Sequence, residues 1–324
     1  MKMLEGLTFR RQYNEHMGCI KSCLEYLGSD LPLPWLYGGT AHAFVLNTND
    51  RAFVDCAQDW DIGSLYGLYP NLGFKRDGLL HDPDMGDDKL PEMFLQKQRE
   101  AWDFVRARID RGIPCYAWEL SAVPMYHLIR GYDDVGYYWS AWDEESGPCP
   151  WDRIGTFNVR RVAVHAIELC PAAPDDVVVR EALALVLQRV ERADGWAVSP
   201  RYRTGLPAYE MWAEALESGR TTCDGEAYIN HFWLECREMA VEFLHEAKTR
   251  LPGRCDAAFD EAAGHYADVC DRLRALLKMH PERPDREADW TTTFRSTAGA
   301  ALMREAAQAE GRGVACLRRI IETL

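Results

Sequence analysis

Cys19, His127 and Asp143 are residues of this 324-residue chain whose types could assemble a nucleophilic site. A cysteine attacks as its thiolate, and the start of a helix favours that anion through open N–H groups and partial positive charge. Cys19 opens a stretch in which Cys19, Ile20, Cys23, Leu24 and Leu27 recur at helical spacing. A thiol also needs a base from elsewhere in the chain. His127, in MYHLIRGYDD, is the candidate base, and Asp143 is the candidate that orients its imidazole. His16, three residues ahead of Cys19, and His42, in YGGTAHAF, are further histidines near candidate site segments. Each main residue also has a plainer reading. Cys19 fits as a core residue on the Cys19–Cys23–Leu27 stripe, and His127 as a half-buried strand histidine bonded to a backbone carbonyl.

These residues need elements to position them. Gly28 follows the first helix where a C-cap prefers glycine, and Gly18 precedes it as a tight entry turn. Pro91–Asp110 carries helical periodicity through Phe94, Trp102, Val105 and Ile109. Then the pattern turns β-branched and aromatic: Ile113–Leu120, Tyr126–Tyr132, Tyr137–Trp142 and Phe157–Leu169 read as strands. The second and third form a hairpin turning at Asp133–Gly136. If Tyr132 pairs with Tyr137, His127 faces Trp142 and Asp143 points to the other side of the sheet.

Pro171-Ala-Ala-Pro174 reads as a linker, because closely spaced prolines exclude helix and sheet. Helices are expected beyond it: from Asp175 or Asp176 to about Ala193, Leu206–Ser218, Glu226–Leu251 and Ala257–His280. The last is Ala298–Leu324, with a break near Gly311 and Gly313. Five amphipathic helices make a bundle. The domain limits expected are therefore 1–173 and 174–324.

Composition narrows the function classes. The net charge of −14 disfavours nucleic acid and anionic lipid as partners, and it favours a cationic small molecule over an anionic one. No apolar run reaches membrane-spanning length, and the N-terminal residues lack a secretory apolar stretch, so a cytoplasmic protein is expected. The eleven cysteines include no Cys-x-x-Cys pair, which argues against structural zinc. Asp82, Asp84, Asp87 and Asp88 read as an exposed acidic turn. In a calcium loop starting at Asp82, the twelfth residue would be Met93 rather than Glu. Gly38 and Gly39 lack the Lys-Ser/Thr of a phosphate loop. No cofactor is expected.

The order Gln12, Cys19, His127, Asp143 is similar to that of bacteriocin-processing, C39-type cysteine peptidases, including the His–Asp separation of 143 − 127 = 16. That resemblance implies an oxyanion-stabilising role for Gln12, beside the backbone N–H of Cys19. The pieces GCIKSCLEYLG, WLYGGTAHAFVLN, IPCYAWEL and GYDDVGYYWS, spread over residues 12–170, resemble the N-terminal domain of the butirosin-biosynthesis acyltransferase. The helical pieces LPAYEMWAEALESG and ECREMAVEFLHEA resemble the tail of such proteins. What the resemblance implies is an α+β domain of papain-like type followed by an all-α bundle. It also implies a thiol acyltransferase or amide hydrolase of secondary metabolism, acting through Cys19 and His127. Two alternatives stay open: a non-catalytic binder of a small molecule or partner on the same scaffold, and a true peptidase. An acyl carrier protein, itself acidic, would need the basic residues Arg10, Arg11 and Lys21 to dock.

Overall fold

The computed structural model describes residues 1–57, 62–82, 90–142, 144–158, 160–191, 199–280 and 290–324. In chain order its elements begin with β1 (Lys2–Met3), α1 (Glu15–Tyr26), α2 (Leu33–Gly39), β2 (Asn47–Asn49), β3 (Phe74–His81) and α3 (Leu90–Asp110). Next come β4 (Cys115–Trp118), β5 (Tyr126–Tyr132), β6 (Gly136–Ala141), β7 (Glu144–Pro150) and β8 (Val162–Leu169). The remainder is α4 (Asp175–Glu191), β9 (Tyr202–Thr204), α5 (Leu206–Ser218), β10 (Thr221–Thr222), α6 (Cys223–Arg250), α7 (Asp256–Leu277), β11 (Thr293–Phe294) and α8 (Thr297–Thr323). The fold is mixed α+β with an antiparallel sheet. Among the described residues, no helix is long and apolar enough to cross a membrane.

The chain divides into two compact units: Met1–Leu31 with Gly73–Ala172, and Pro32–Leu72 with Ala173–Leu324. The division at Ala172/Ala173 falls in the proline-bounded linker. The segment Pro32–Leu72 differs from the sequence-based limits, since it clusters with the helices.

The first unit is a sheet of order β3-β8-β4-β5-β6-β7, with β1 pairing beside β5 beyond the end of β4. Burial is nearly continuous along β4, β5 and β8, so successive residues, which point to opposite sides, are covered on both faces of this sheet. The hairpin forms as expected: Tyr132 pairs with Tyr137. Asp133 closes it, its carboxylate accepting the N–H groups of Val135 (2.8 Å) and Gly136 (3.1 Å). Arg130 is an extra residue on β5, because Ile129 pairs with Trp139 but Gly131 with Tyr138. This bulge moves the register by one, so the strand line brings His127 opposite Ala141 rather than Trp142.

Helix α1 begins four residues before the expected start. Asn14 caps it by accepting the Met17 N–H at 3.2 Å. Gly18 is therefore inside the helix and not its entry turn. A Cβ there would lie 2.4 Å from the Arg10 carbonyl oxygen, so the missing side chain admits the preceding strand of chain. Ser22 fastens that approach, accepting the Arg10 N–H at 2.8 Å. The C-terminus follows expectation. Gly28 is left-handed, with φ +82°, its N–H bonds the Glu25 carbonyl at 3.0 Å, and the Ser29 N–H bonds that of Leu24 at 2.9 Å.

The second unit is built on α4–α8, with α5 at the expected residues and α8 unbroken through Gly311 and Gly313. Gly313 is a site of close crossing, since a Cβ there would meet the Tyr266 ring of α7 at 3.0 Å. Arg237 of α6 is fully buried. It pairs with Glu310 of α8 through Nε at 2.9 Å and Nη2 at 2.7 Å, and it donates to the carbonyls of Ala43 and Val45. Tyr209 of α5 donates to the same carboxylate. This one guanidinium ties Ala43 and Val45 to the helices, and it is a physical reason Pro32–Leu72 belongs with them.

Candidate functional site at the junction of the first helix and the sheet

Two faces of the sheet must be kept apart. Direct cross-strand partners share a face, so the register places Tyr116, Trp118, Tyr126, Leu128, Ser140 and His165 on one side. Ala117, His127, Ile129, Trp139, Val164 and Ala166 lie on the other. Helix α1 covers the first face. Its His16 ring stacks on Tyr126, with centroids 4.6 Å apart and planes at 22°, and it lies 5.4 Å from Tyr116 and 6.2 Å from His165. Helix α3 covers the second, where Trp102 meets the Tyr137 ring edge-on at 5.1 Å.

Cys19 is in the second turn of α1, fully buried, behind the first helical hydrogen bond from the Gly18 N–H to the Asn14 carbonyl. The helix start thus offers its open N–H groups to other residues, and their effect fades within the first turn. Burial pushes the thiol pKa well up, and the nearby Cys23 and Glu15 push it further.

His127 projects from the opposite face, against the Trp139 ring at 4.7 Å. Its Nε2 bonds the Ser121 hydroxyl at 2.9 Å and its Nδ1 the Met125 carbonyl at 3.0 Å. An Nδ1 that donates to a carbonyl carries the proton, so Nε2 accepts from Ser121. Burial lowers the pKa to about 4, although the Met125 bond works against it. Among the described residues, no hydrogen bond joins Cys19 to His127. Gln12 is half-buried ahead of α1, and Asp143 lies outside the described residues. His42 belongs to the second unit. There it bonds the Thr40 hydroxyl at 2.9 Å, and burial lowers its pKa to about 3. Asp84, Asp87 and Asp88 lie outside the described residues, as does Ala193. No set of three metal-ligating side chains gathers among the described residues.

The structure instead brings together a group that the sequence reading did not assemble. His16 Nε2 and the Tyr116 hydroxyl are 2.8 Å apart. The His165 ring is 4.9 Å from that of Tyr116 and 5.8 Å from that of Tyr126. Arg76 on β3 reaches His165 Nδ1 at 2.8 Å. Trp118 adds an aromatic wall 5.2 Å from Tyr126. His16, Tyr116, Trp118 and His165 are buried, whereas Tyr126 and Arg76 are half-buried and form the reachable side. One signal was present in the sequence: His165 is the polar residue within the apolar strand VAVHAI, and a buried polar side chain is the informative exception. The group offers stacking surfaces, two phenols and two imidazoles, which suits hydrogen-bonded recognition. No protein-family model matches the chain, and no curated protein matches it.

Proposed function

We propose that this protein binds a small molecule at the α1–sheet junction of its first unit, without a cysteine nucleophile. The scaffold would be a papain-like one, related to the butirosin-type acyltransferase N-terminal domain. The order of an early helix followed by an antiparallel sheet agrees with that resemblance. One observation carries the reading: Cys19 and His127 belong to opposite faces of the sheet, so His127 cannot serve as the base for this thiol. The polar and aromatic groups on the α1 face include His16, Tyr116, Tyr126 and His165.

A thermal-shift survey of small carboxylates, amines and nucleosides tests this. A ligand of this site raises the melting temperature of the wild-type protein and of Cys19→Ala, and the gain is lost in His16→Leu and Tyr126→Ala. Stabilisation that vanishes in Cys19→Ala, or that survives both other variants, contradicts the proposal.

A further inference from the structure

At the end of the sheet where β4 turns into β5, a serine hydroxyl meets a buried imidazole. Ser121 Oγ and His127 Nε2 are 2.9 Å apart. His127 Nδ1 lies 3.0 Å from the Met125 carbonyl oxygen, and the Leu120 N–H approaches the same nitrogen from 3.4 Å. The nearer partner is a carbonyl, which only accepts, and it decides the tautomer: Nδ1 carries the proton, and Nε2 accepts from the Ser121 hydroxyl. That hydroxyl also accepts the Val123 N–H at 3.2 Å, which fixes its place and leaves it a second lone pair. The loop that carries it is held at both ends. The Met125 carbonyl also accepts the Glu119 N–H at 3.0 Å, and the Asn158 side chain donates to the Ala122 carbonyl at 2.9 Å. The Trp139 ring stands edge-on to the imidazole, with planes at 87°. Ser121 is only half-buried, and its neighbours Ala122 and Val123 are exposed, so a solute reaches the hydroxyl while its base stays buried.

We propose that Ser121 is an acyl-accepting nucleophile with His127 as its base, and that it takes the acyl group of activated esters. This site is separate from the α1 face and does not depend on the binding reading. In the first step Oγ bonds to the carbonyl carbon of the ester, its proton passes to Nε2, and the bond from that carbon to the leaving oxygen breaks. Nε2 gives the proton to the leaving oxygen. In the second step water attacks the acyl-serine and passes a proton to Nε2. The bond from the acyl carbon to Oγ breaks, Oγ recovers the proton, and a carboxylic acid leaves. The Met125 carbonyl does for Nδ1–H what a carboxylate does in a serine–histidine–aspartate triad: it fixes the tautomer and the direction of the ring. It carries no full charge, so it stabilises the imidazolium less. Burial lowers the His127 pKa to about 4, against the Met125 bond, so the ring is neutral at neutral pH and open to a proton, yet a weak base. A weak base suits a good leaving group, which is why an activated ester is the substrate class and an amide is not.

The test treats the full-length protein with p-nitrophenyl acetate at neutral pH, quenches in acid and maps the modified residues. An acetyl group should appear on Ser121 in the native protein and not in urea, where the hydroxyl has no imidazole. Cys19→Ala should behave as the wild-type protein, and Ser121→Ala should lose the adduct. His127→Gln keeps a hydrogen-bond acceptor but no base, so it should form the adduct at least about tenfold more slowly, with its amide spectrum showing that the chain is folded. Long-range proton–nitrogen spectra of the histidine-labelled wild-type protein should show His127 as the neutral Nδ1–H tautomer. That measurement and the comparison with urea decide the matter even where His127→Gln does not fold. Acetylation confined to lysines or the amino terminus overturns the proposal. So does an adduct on Ser121 that forms as fast in urea or in folded His127→Gln, and so does an Nε2–H tautomer.

Discussion

The Cys19 thiol belongs to a helix on one face of the first unit's sheet, and the His127 imidazole projects from the other face. The register of β4, β5 and β6 fixes the side taken by His127. The stacking of His16 on Tyr126 fixes the side taken by α1. A Cys19–His127 pair would need the sheet to be crossed. What α1 does bring to the sheet is His16, hydrogen-bonded to Tyr116 and backed by His165.

The histidine environments imply a direction for acid stability. His127 has a folded-state pKa of about 4, against an ordinary value near 6.5. Below about pH 6.5 the unfolded chain binds a proton that the folded chain refuses, so stability is full above that value and falls as pH drops toward 4. The full loss for this one group is about 3 kcal/mol. Urea unfolding at pH 7 and at about pH 4.5 should show a smaller acid loss in His127→Gln than in the wild-type protein. An unchanged acid loss would mean that His127 is not held neutral.

Two helical glycines should respond oppositely to alanine. At Gly264 of α7 a Cβ meets nothing within 4 Å, so Gly264→Ala should stabilise by about 0.5–1 kcal/mol through helix propensity. At Gly18 the same methyl meets the Arg10 carbonyl oxygen, a backbone atom that cannot rotate away. Gly18→Ala should therefore destabilise by about 1–2 kcal/mol, overpacking outweighing propensity. Denaturant midpoints read both, and a gain at Gly18 would show that the N-terminal segment does not press on α1.

These cases mark how much was legible. Helix α5, the hairpin pairing of Tyr132 with Tyr137 and the Gly28 cap follow from patterns within a few residues, and the chain carries them openly. The start of α1 was missed because Gly18 resembles an entry turn, whereas its purpose is a close approach by a segment eight residues away. The Arg130 bulge leaves no mark in the alternation of residue types. The site itself depends on which face α1 covers, and that is decided by packing between elements. Arg237 shows the same limit: only Glu310 and two carbonyls from far along the chain make it a core residue.

The Arg237–Glu310 pair should matter greatly when broken from one side. Arg237→Met leaves a buried carboxylate without its counter-charge, at a cost of about 3–5 kcal/mol. Arg237→Met combined with Glu310→Leu should recover most of that loss, since two apolar side chains carry no unpaired charge. Urea unfolding of the single and double variants measures the coupling. Additive losses would mean that the two groups do not act as a pair.

Limited iodoacetamide labelling of the native protein, followed by peptide mapping, tests the central claim most directly. A thiol that is fully buried, with its pKa pushed up, presents almost no thiolate to the reagent. The half-buried Cys170 and Cys255 should be labelled first, with Cys19 unmodified until the protein is unfolded. Preferential labelling of Cys19 in the native state, lost in His127→Ala, would contradict the account and restore a thiol site.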